Sequence, residues 1–237
     1  MKITYWSDYA CPFCYIGETY LEQAITELGA EGRFEIEMKA FELDPNASKK
    51  VTGSTVDRFA KKYGLTVKAA ADRIDSISKM GREVGLDFRY AETRYTNTFD
   101  AHRLTKFARS KGGNTLANRI SERLYKAYFS ESMELASHDV LVRIAVQEGL
   151  DEAEVKEFLL SDCFADEVRA DEYEAALNGV HAVPFFVVGE EYTIHGALPV
   201  DRMKKLLKEV LEKEEKKAQT SDIAPMSCGP DGCHIGG

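Results

Sequence analysis

Hydrophobic positions along the chain change period several times, and the changes mark its elements. An apolar run from Ile3 to Trp6 predicts an opening strand. Leu21, Ala24, Ile25 and Leu28 then recur at helical spacing, and the segment from Gly29 to Gly32 supplies the stop. From Phe34 to Phe41 the apolar positions alternate with period two, which predicts a second strand. Asp44-Pro45-Asn46 turns the chain, and from Ser54 to about Asn178 the pattern is helical with no convincing strand.

Within that block Ser54 and Thr66 each begin a helix, and Thr96-Asn97-Thr98 precedes a third carrying Phe99, Leu104 and Phe107. Further helices are expected over about 115–129, 138–148, 151–160 and 163–178, with Ser137 or Asp151 as a cap and Gly112-Gly113 and Gly149 as breaks. After Gly179 the character reverts. Phe185 to Val188, the turn Gly189-Glu190-Glu191 and Tyr192 to His195 predict a β-hairpin. Met203, Leu206, Leu207, Val210 and Leu211 follow the i, i+3, i+4, i+7, i+8 pattern of an amphipathic helix whose outer face is Lys and Glu. From about residue 218 the period is lost and a Ser/Thr/Pro/Gly-containing tail follows.

Composition narrows what such a chain does. Its 237 residues carry 31 basic and 40 acidic side chains, a net charge of −9, which leaves no footprint for nucleic acid or for an anionic membrane. No apolar run reaches the roughly 18 residues of a bilayer span. The opening strand replaces any signal-peptide pattern, so the expected compartment is the cytoplasm. In that reducing setting, closely spaced cysteines more often serve catalysis or metal binding than stapling.

Cys11-Pro12-Phe13-Cys14 lies between the first strand and the first helix. A thiol at a helix start sits among unpaired N–H groups at the positive end of the dipole, which favours thiolate. Cys11 is therefore the candidate nucleophile, and Cys14, one turn deeper, the candidate resolving thiol. A metal clip or two inert thiols are the competing readings of the same spacing. Pro184 enters a later strand without an N–H donor, which leaves Val183 free to pair with an incoming extended polypeptide.

Strand, dithiol helix, strand, then hairpin and helix is the order of a thioredoxin-like fold, a mixed sheet flanked by helices, with a large all-helical insertion. The chain resembles the DsbA-like thioredoxin-fold oxidoreductases and, within them, the FrnE-like branch. The resemblance is carried by Ser7 to Cys14, by Phe41-Glu42-Leu43-Asp44-Pro45, by Asn97 to Leu104 and by Gly179 to Val187. It implies a discontinuous thioredoxin-like domain over 1–50 and 179–217, a helical domain over 51–178 and a tail over 218–237. It also implies that Pro184 is cis and faces the dithiol, with Val183 and Pro184 binding substrate. Tyr9, Phe13 and Phe41 are read beside it as exposed apolar contacts for a protein partner. The expected activity is thiol–disulfide exchange on protein substrates, with no external cofactor and no metal, and with glutathione as a candidate reductant.

Other residues carry weaker signals. His102 and Asn97 are candidates for supporting roles near the cleft, although Asn97 and Thr98 also fit as helix caps. Glu35 and Glu37 are carboxylates that could exchange a proton with the dithiol, or simply solvated strand positions. Cys163 has no partner in sequence and reads as a buried or unreactive thiol, and His181 and His195 as structural or exposed. In the tail, Cys228 and Cys233 flank a Gly-Pro-Asp-Gly turn that allows them to bond and to exchange with Cys11 and Cys14. With His234 they also supply three zinc ligands. Two rival functions follow: a glutathione-dependent isomerase or transferase of the kappa-class-like group, in which a serine stands where this chain has a cysteine, and a zinc-binding redox-regulated chaperone module.

Overall fold

A computed structural model of the protein describes residues 1–189, 191–221, 227–229 and 232–234, from residue 217 onward by the backbone. Strand β1 (Lys2–Ser7) leads into helix α1 (Pro12–Glu27) and returns as β2 (Glu35–Ala40). Helices α2 (Thr55–Tyr63), α3 (Val67–Glu83), α4 (Phe99–Phe129), α5 (His138–Gln147), α6 (Glu152–Leu160) and α7 (Ala165–Leu177) follow before β3 (Phe185–Val188), β4 (Tyr192–His195) and α8 (Val200–Ser221). No helix among the described residues is long and apolar enough to cross a membrane.

The four strands lie in the order β2-β1-β3-β4. β1 runs parallel to β2 and antiparallel to β3, and β3 runs antiparallel to β4. The sheet is therefore mixed. Its period-two alternation divides two cores. Ile3, Tyr5, Phe186 and Val188 belong to the larger core with Leu21 and Ile25 of α1 and Met203 and Leu207 of α8. Trp6 and Phe185 belong to a second core with Ala175 of α7 and Val180. Cross-strand partners Tyr5 and Phe186 stack with ring centroids 5.3 Å apart.

Local chemistry sets the helix ends. Ser54, Thr66 and Asp151 accept the N–H of Asp57, Ala69 and Glu154 at the starts of α2, α3 and α6. Ser137 precedes α5 without a side-chain cap bond. The break expected at Gly112-Gly113 is a kink inside α4: Gly112 is non-helical and Gly113 adopts φ +65°, which lets the two halves turn against each other.

The tail departs from the expectation of a turn alone. Ser227–Gly229 (β5) and Gly232–His234 (β6) pair antiparallel, with Cys228 and Cys233 as Cα partners. The side chains of Cys228, Cys233 and His234 lie outside the described residues, so neither a disulfide nor a zinc site is assigned there.

Candidate active site

The site is assembled where β1 ends. Asp8, Tyr9 and Ala10 turn the chain so that Cys11 becomes the N-cap of α1 and Pro12 its first residue, where a missing N–H costs nothing. The Cys11 N–H donates to the Asp8 carbonyl at 3.0 Å, and the Cys14 N–H to the Cys11 carbonyl at 3.1 Å. Both cysteines are free thiols. Cys11 is 4 % exposed and Cys14 0 %.

Asp8 holds this loop in place. Its buried carboxylate accepts the N–H of Ala10 at 3.1 Å and of Leu43 at 2.7 Å, and the O–H of Thr98 at 2.9 Å. One side chain thus joins the dithiol loop, the exit of β2 and the start of α4. Its place within the Ser7-to-Cys14 motif was visible in the sequence, but its three partners are far apart along the chain.

The Val183-Pro184 bond is cis, and the Cys11 thiol points at the Val183 carbonyl oxygen, 3.6 Å away. Val183 is half-buried and Pro184 buried. Gly17 of α1 lies under this loop, where a Cβ would come within 3.0 Å of the Pro184 ring and 3.4 Å of Ala197. The absence of a side chain at 17 allows the helix to pass close to the loop. Phe13 is 38 % exposed. Cys11, Phe13 and Val183 share one wall of a cavity of about 690 Å³, whose other walls come from α2, α3 and the segment around Tyr90 and Tyr95.

Cys14 faces the opposite way, into the core. Burial, followed by the neighbouring Cys11, pushes its pKa well above that of a free thiol. A hydrogen bond from Ser7 acts against this rise, and Ser7 Oγ is itself 2.5 Å from the Tyr125 hydroxyl. Glu18 lies four residues after Cys14, on the same face of α1. Its carboxyl accepts the Tyr5 hydroxyl at 2.7 Å, while its second oxygen is buried without a partner. Burial, followed by the charge of Glu22, raises the Glu18 pKa to about 8. The i, i+4 spacing from Cys14 was the signal that could have singled out Glu18.

Several expected site residues sit elsewhere. Tyr9 is fully buried, not exposed: its hydroxyl lies 2.5 Å from Thr105 Oγ1 and its ring 4.8 Å from His102. It packs inside the core because the turn after β1 directs it beneath the loop, so it cannot meet a substrate chain. Phe41 is half-buried against the Trp6 core rather than exposed. Asn97 is buried, donates to Glu42 Oε1 at 3.0 Å and accepts the Phe99 N–H at 3.0 Å, a loop-fixing role. His102 is buried with Nε2 3.7 Å from Asp8 Oδ1, too far for a hydrogen bond. Cys163 is exposed rather than buried, because it lies in the loop before α7. Glu37 pairs with Arg109 at 2.5 Å and with Lys2, and Glu35 accepts from Asn114 at 2.8 Å, which ties both to strand-edge contacts.

A mixed thioredoxin-type sheet with a helix-capping dithiol set against a cis-proline loop defines a thiol–disulfide class of protein. The DSBA-like thioredoxin domain model matches residues 2–208, and the chain belongs to that family. A crystal structure of a probable DsbA oxidoreductase, SCO1869 from Streptomyces coelicolor, is 32 % identical and superposes with a TM-score of 0.82 over 100 % of both chains. The uncharacterized protein YwbO of Bacillus subtilis is 28 % identical over 224 residues, 92 % of this chain and 98 % of its own. The cytosolic disulfide reductase DsbM from Pseudomonas aeruginosa, in a structure with GSH, shares the fold at 16 % identity and a TM-score of 0.61, over 90 % of this chain and 100 % of its own.

Proposed function

We propose that the protein is a cytoplasmic thiol–disulfide oxidoreductase or isomerase of protein disulfides, in the FrnE-like branch of its family. The observation that carries this reading is the Cys11 thiol held 3.6 Å from the Val183 carbonyl at the cis-proline loop, with Cys14 sealed beneath it. The Cys11 thiolate attacks one sulfur of a substrate disulfide, forms a mixed disulfide and releases the other sulfur as a thiolate. Cys14 then gives up its proton and attacks Cys11 Sγ. That step releases the second substrate thiol and leaves a Cys11–Cys14 disulfide, so two electrons have passed to the substrate.

Val183 and Pro184 orient an extended partner chain by backbone pairing, and Phe13 adds an exposed apolar contact. A thiol such as glutathione returns the dithiol to its reduced form; the GSH in the DsbM structure supports including it. A dithiol in place of a serine argues against the kappa-class-like isomerase. Cys228 and Cys233 belong to the same proposal as an exchanging second pair.

Insulin reduction and refolding of a disulfide-scrambled protein, with wild type, Cys11→Ser and a chain ending at Gln219, test this reading. Cys11→Ser is expected to lose both activities, and retention of either would sink the mechanism. A truncated chain with unchanged turnover and reduction potential would remove the tail from it.

A further inference from the structure

We infer that the cavity beside Cys11 binds an anionic low-molecular-weight thiol and its disulfide, with Arg58, Lys62 and Arg73 as the residues that select negative charge. The inference rests on the dithiol reading above and names a small substrate for the same site. The cavity measures about 690 Å³, inside the range of small-molecule sites, and Cys11 is among the residues that line it. In a chain of net charge −9, no aspartate or glutamate lines it, whereas Arg58 and Lys62 from α2 and Arg73 from α3 do.

These cations are not consumed by the fold. Among the described residues, none of the three has a carboxylate partner. Elsewhere on α3 the basic residues are matched: Lys68 pairs with Asp72, Lys79 with Glu83 and Arg82 with Asp75. On α3 the one basic residue without a carboxylate partner, Arg73, is the one that lines the cavity. Arg58 carries the argument furthest. Its guanidinium carbon lies 3.6 Å from the centroid of the Tyr95 ring, and its Nε is buried without a hydrogen-bond partner. A stacked guanidinium is pre-oriented to offer its edge to a planar carboxylate, and a buried unsatisfied donor gains when a ligand supplies the acceptor. Phe59, Tyr90 and Tyr95 add aromatic walls that suit the backbone of a small peptide-like thiol.

The exchange balances without another reactant. One anionic thiolate attacks the Cys11 sulfur of the oxidised protein, forming a mixed disulfide and releasing Cys14, which takes up a proton. A second thiolate attacks the small-molecule sulfur of that mixed disulfide. The products are the small-molecule disulfide and a reduced dithiol, and the same steps run in reverse when the disulfide is supplied.

The test measures second-order rate constants for oxidation of the reduced protein by glutathione disulfide, which is net negative, by neutral hydroxyethyl disulfide and by cationic cystamine. Each is divided by its rate with free dithiothreitol to remove intrinsic reactivity. The normalised preference for glutathione disulfide over the other two is expected to exceed tenfold, at about 1.4 kcal/mol per tenfold, and to shrink as salt is raised. Arg58→Gln should cut that preference by about tenfold, and adding Lys62→Gln and Arg73→Gln should abolish it. A wild-type preference near unity, or one unmoved in the triple variant, overturns the inference. So does a triple variant that slows an acidic disulfide peptide but not glutathione disulfide, since the cavity would then serve polypeptides. Failure of all three disulfides to oxidise Cys11 would instead defeat the dithiol reading itself.

Discussion

Cys11 and Cys14 are three residues apart on one helix, yet their surroundings are opposed. Around Cys11 lie a cavity lined by three cations without carboxylate partners and the Val183 carbonyl at 3.6 Å. Around Cys14 lie Ser7 and Tyr125, with the buried carboxyl of Glu18 one turn further along the same face of α1 and no access to solvent. A single turn of helix separates a sulfur beside the cavity from one enclosed in the core. Under the proposed mechanism the comparison divides the labour of the dithiol: attack would be controlled by what enters the cavity, and resolution by where the Cys14 proton can go.

Cys14→Ser gives the largest effect, because it removes resolution and leaves attack intact. Reduced Cys14→Ser protein incubated with a disulfide substrate should accumulate a stable mixed disulfide at Cys11, visible as a mass increase by intact-protein mass spectrometry. Multiple-turnover exchange should fall by orders of magnitude. If turnover persisted at the wild-type rate, the sealed sulfur would have no part in the chemistry.

Asp8→Ala breaks the Cys11 side of the comparison. It strands the N–H groups of Ala10 and Leu43 and the hydroxyl of Thr98, each costing about 1–3 kcal/mol when left buried and unpaired. Urea unfolding should show a loss of at least about 3 kcal/mol, and the exchange rate should drop as the loop that presents Cys11 loosens. A loss below about 1 kcal/mol would mean water replaces the carboxylate and that Asp8 does not fix the loop.

Much of this arrangement was legible because it is local. Periodicity located β1, α1, β2, the hairpin and α8, and the cap residues Ser54, Thr66 and Asp151 marked real helix starts. The dithiol and Val183-Pro184 were readable as motifs, and the family match over residues 2–208 agrees with the resemblance they carried. What stayed hidden depends on separation in sequence. Arg58 and Arg73 belong to no motif, and only the packing of α2 and α3 sets them around the cavity that Cys11 lines. Tyr9 read as exposed because the direction of its side chain is fixed by Thr105 and His102, about a hundred residues away. Side-chain direction in a turn has no period to reveal it.

Glu18→Gln probes the sealed side through pH. The Glu18 carboxyl binds its proton more tightly in the folded protein, with a pKa of about 8 against an ordinary value near 4.5. Stability from this group is therefore full below about pH 4.5 and is lost as pH rises through about 8. Glutamine keeps the oxygen that accepts the Tyr5 hydroxyl but cannot ionise. Denaturant unfolding across pH 5 to about 9 should thus show a decline in wild type that is flatter in the variant, by on the order of a few kcal/mol. Superimposable profiles would mean that Glu18 is ionised in the folded protein and that its surroundings are wetter than those of Cys14.

Tyr9→Phe gives the smallest effect and separates burial from function. The hydroxyl contacts Thr105 Oγ1 and Met38 Sδ, so its removal should cost about 1 kcal/mol of stability while the ring continues to pack between His102 and Tyr125. Neighbouring Ala10 lines the cavity and Tyr9 does not, so kcat/KM for a protein disulfide should stay within about twofold of wild type. A drop of about tenfold in kcat/KM with little loss of stability would return Tyr9 to the substrate-binding surface and blur the boundary between the two sides. A loss confined to stability would place that boundary between Tyr9 and Ala10, one residue before the sulfur that reacts.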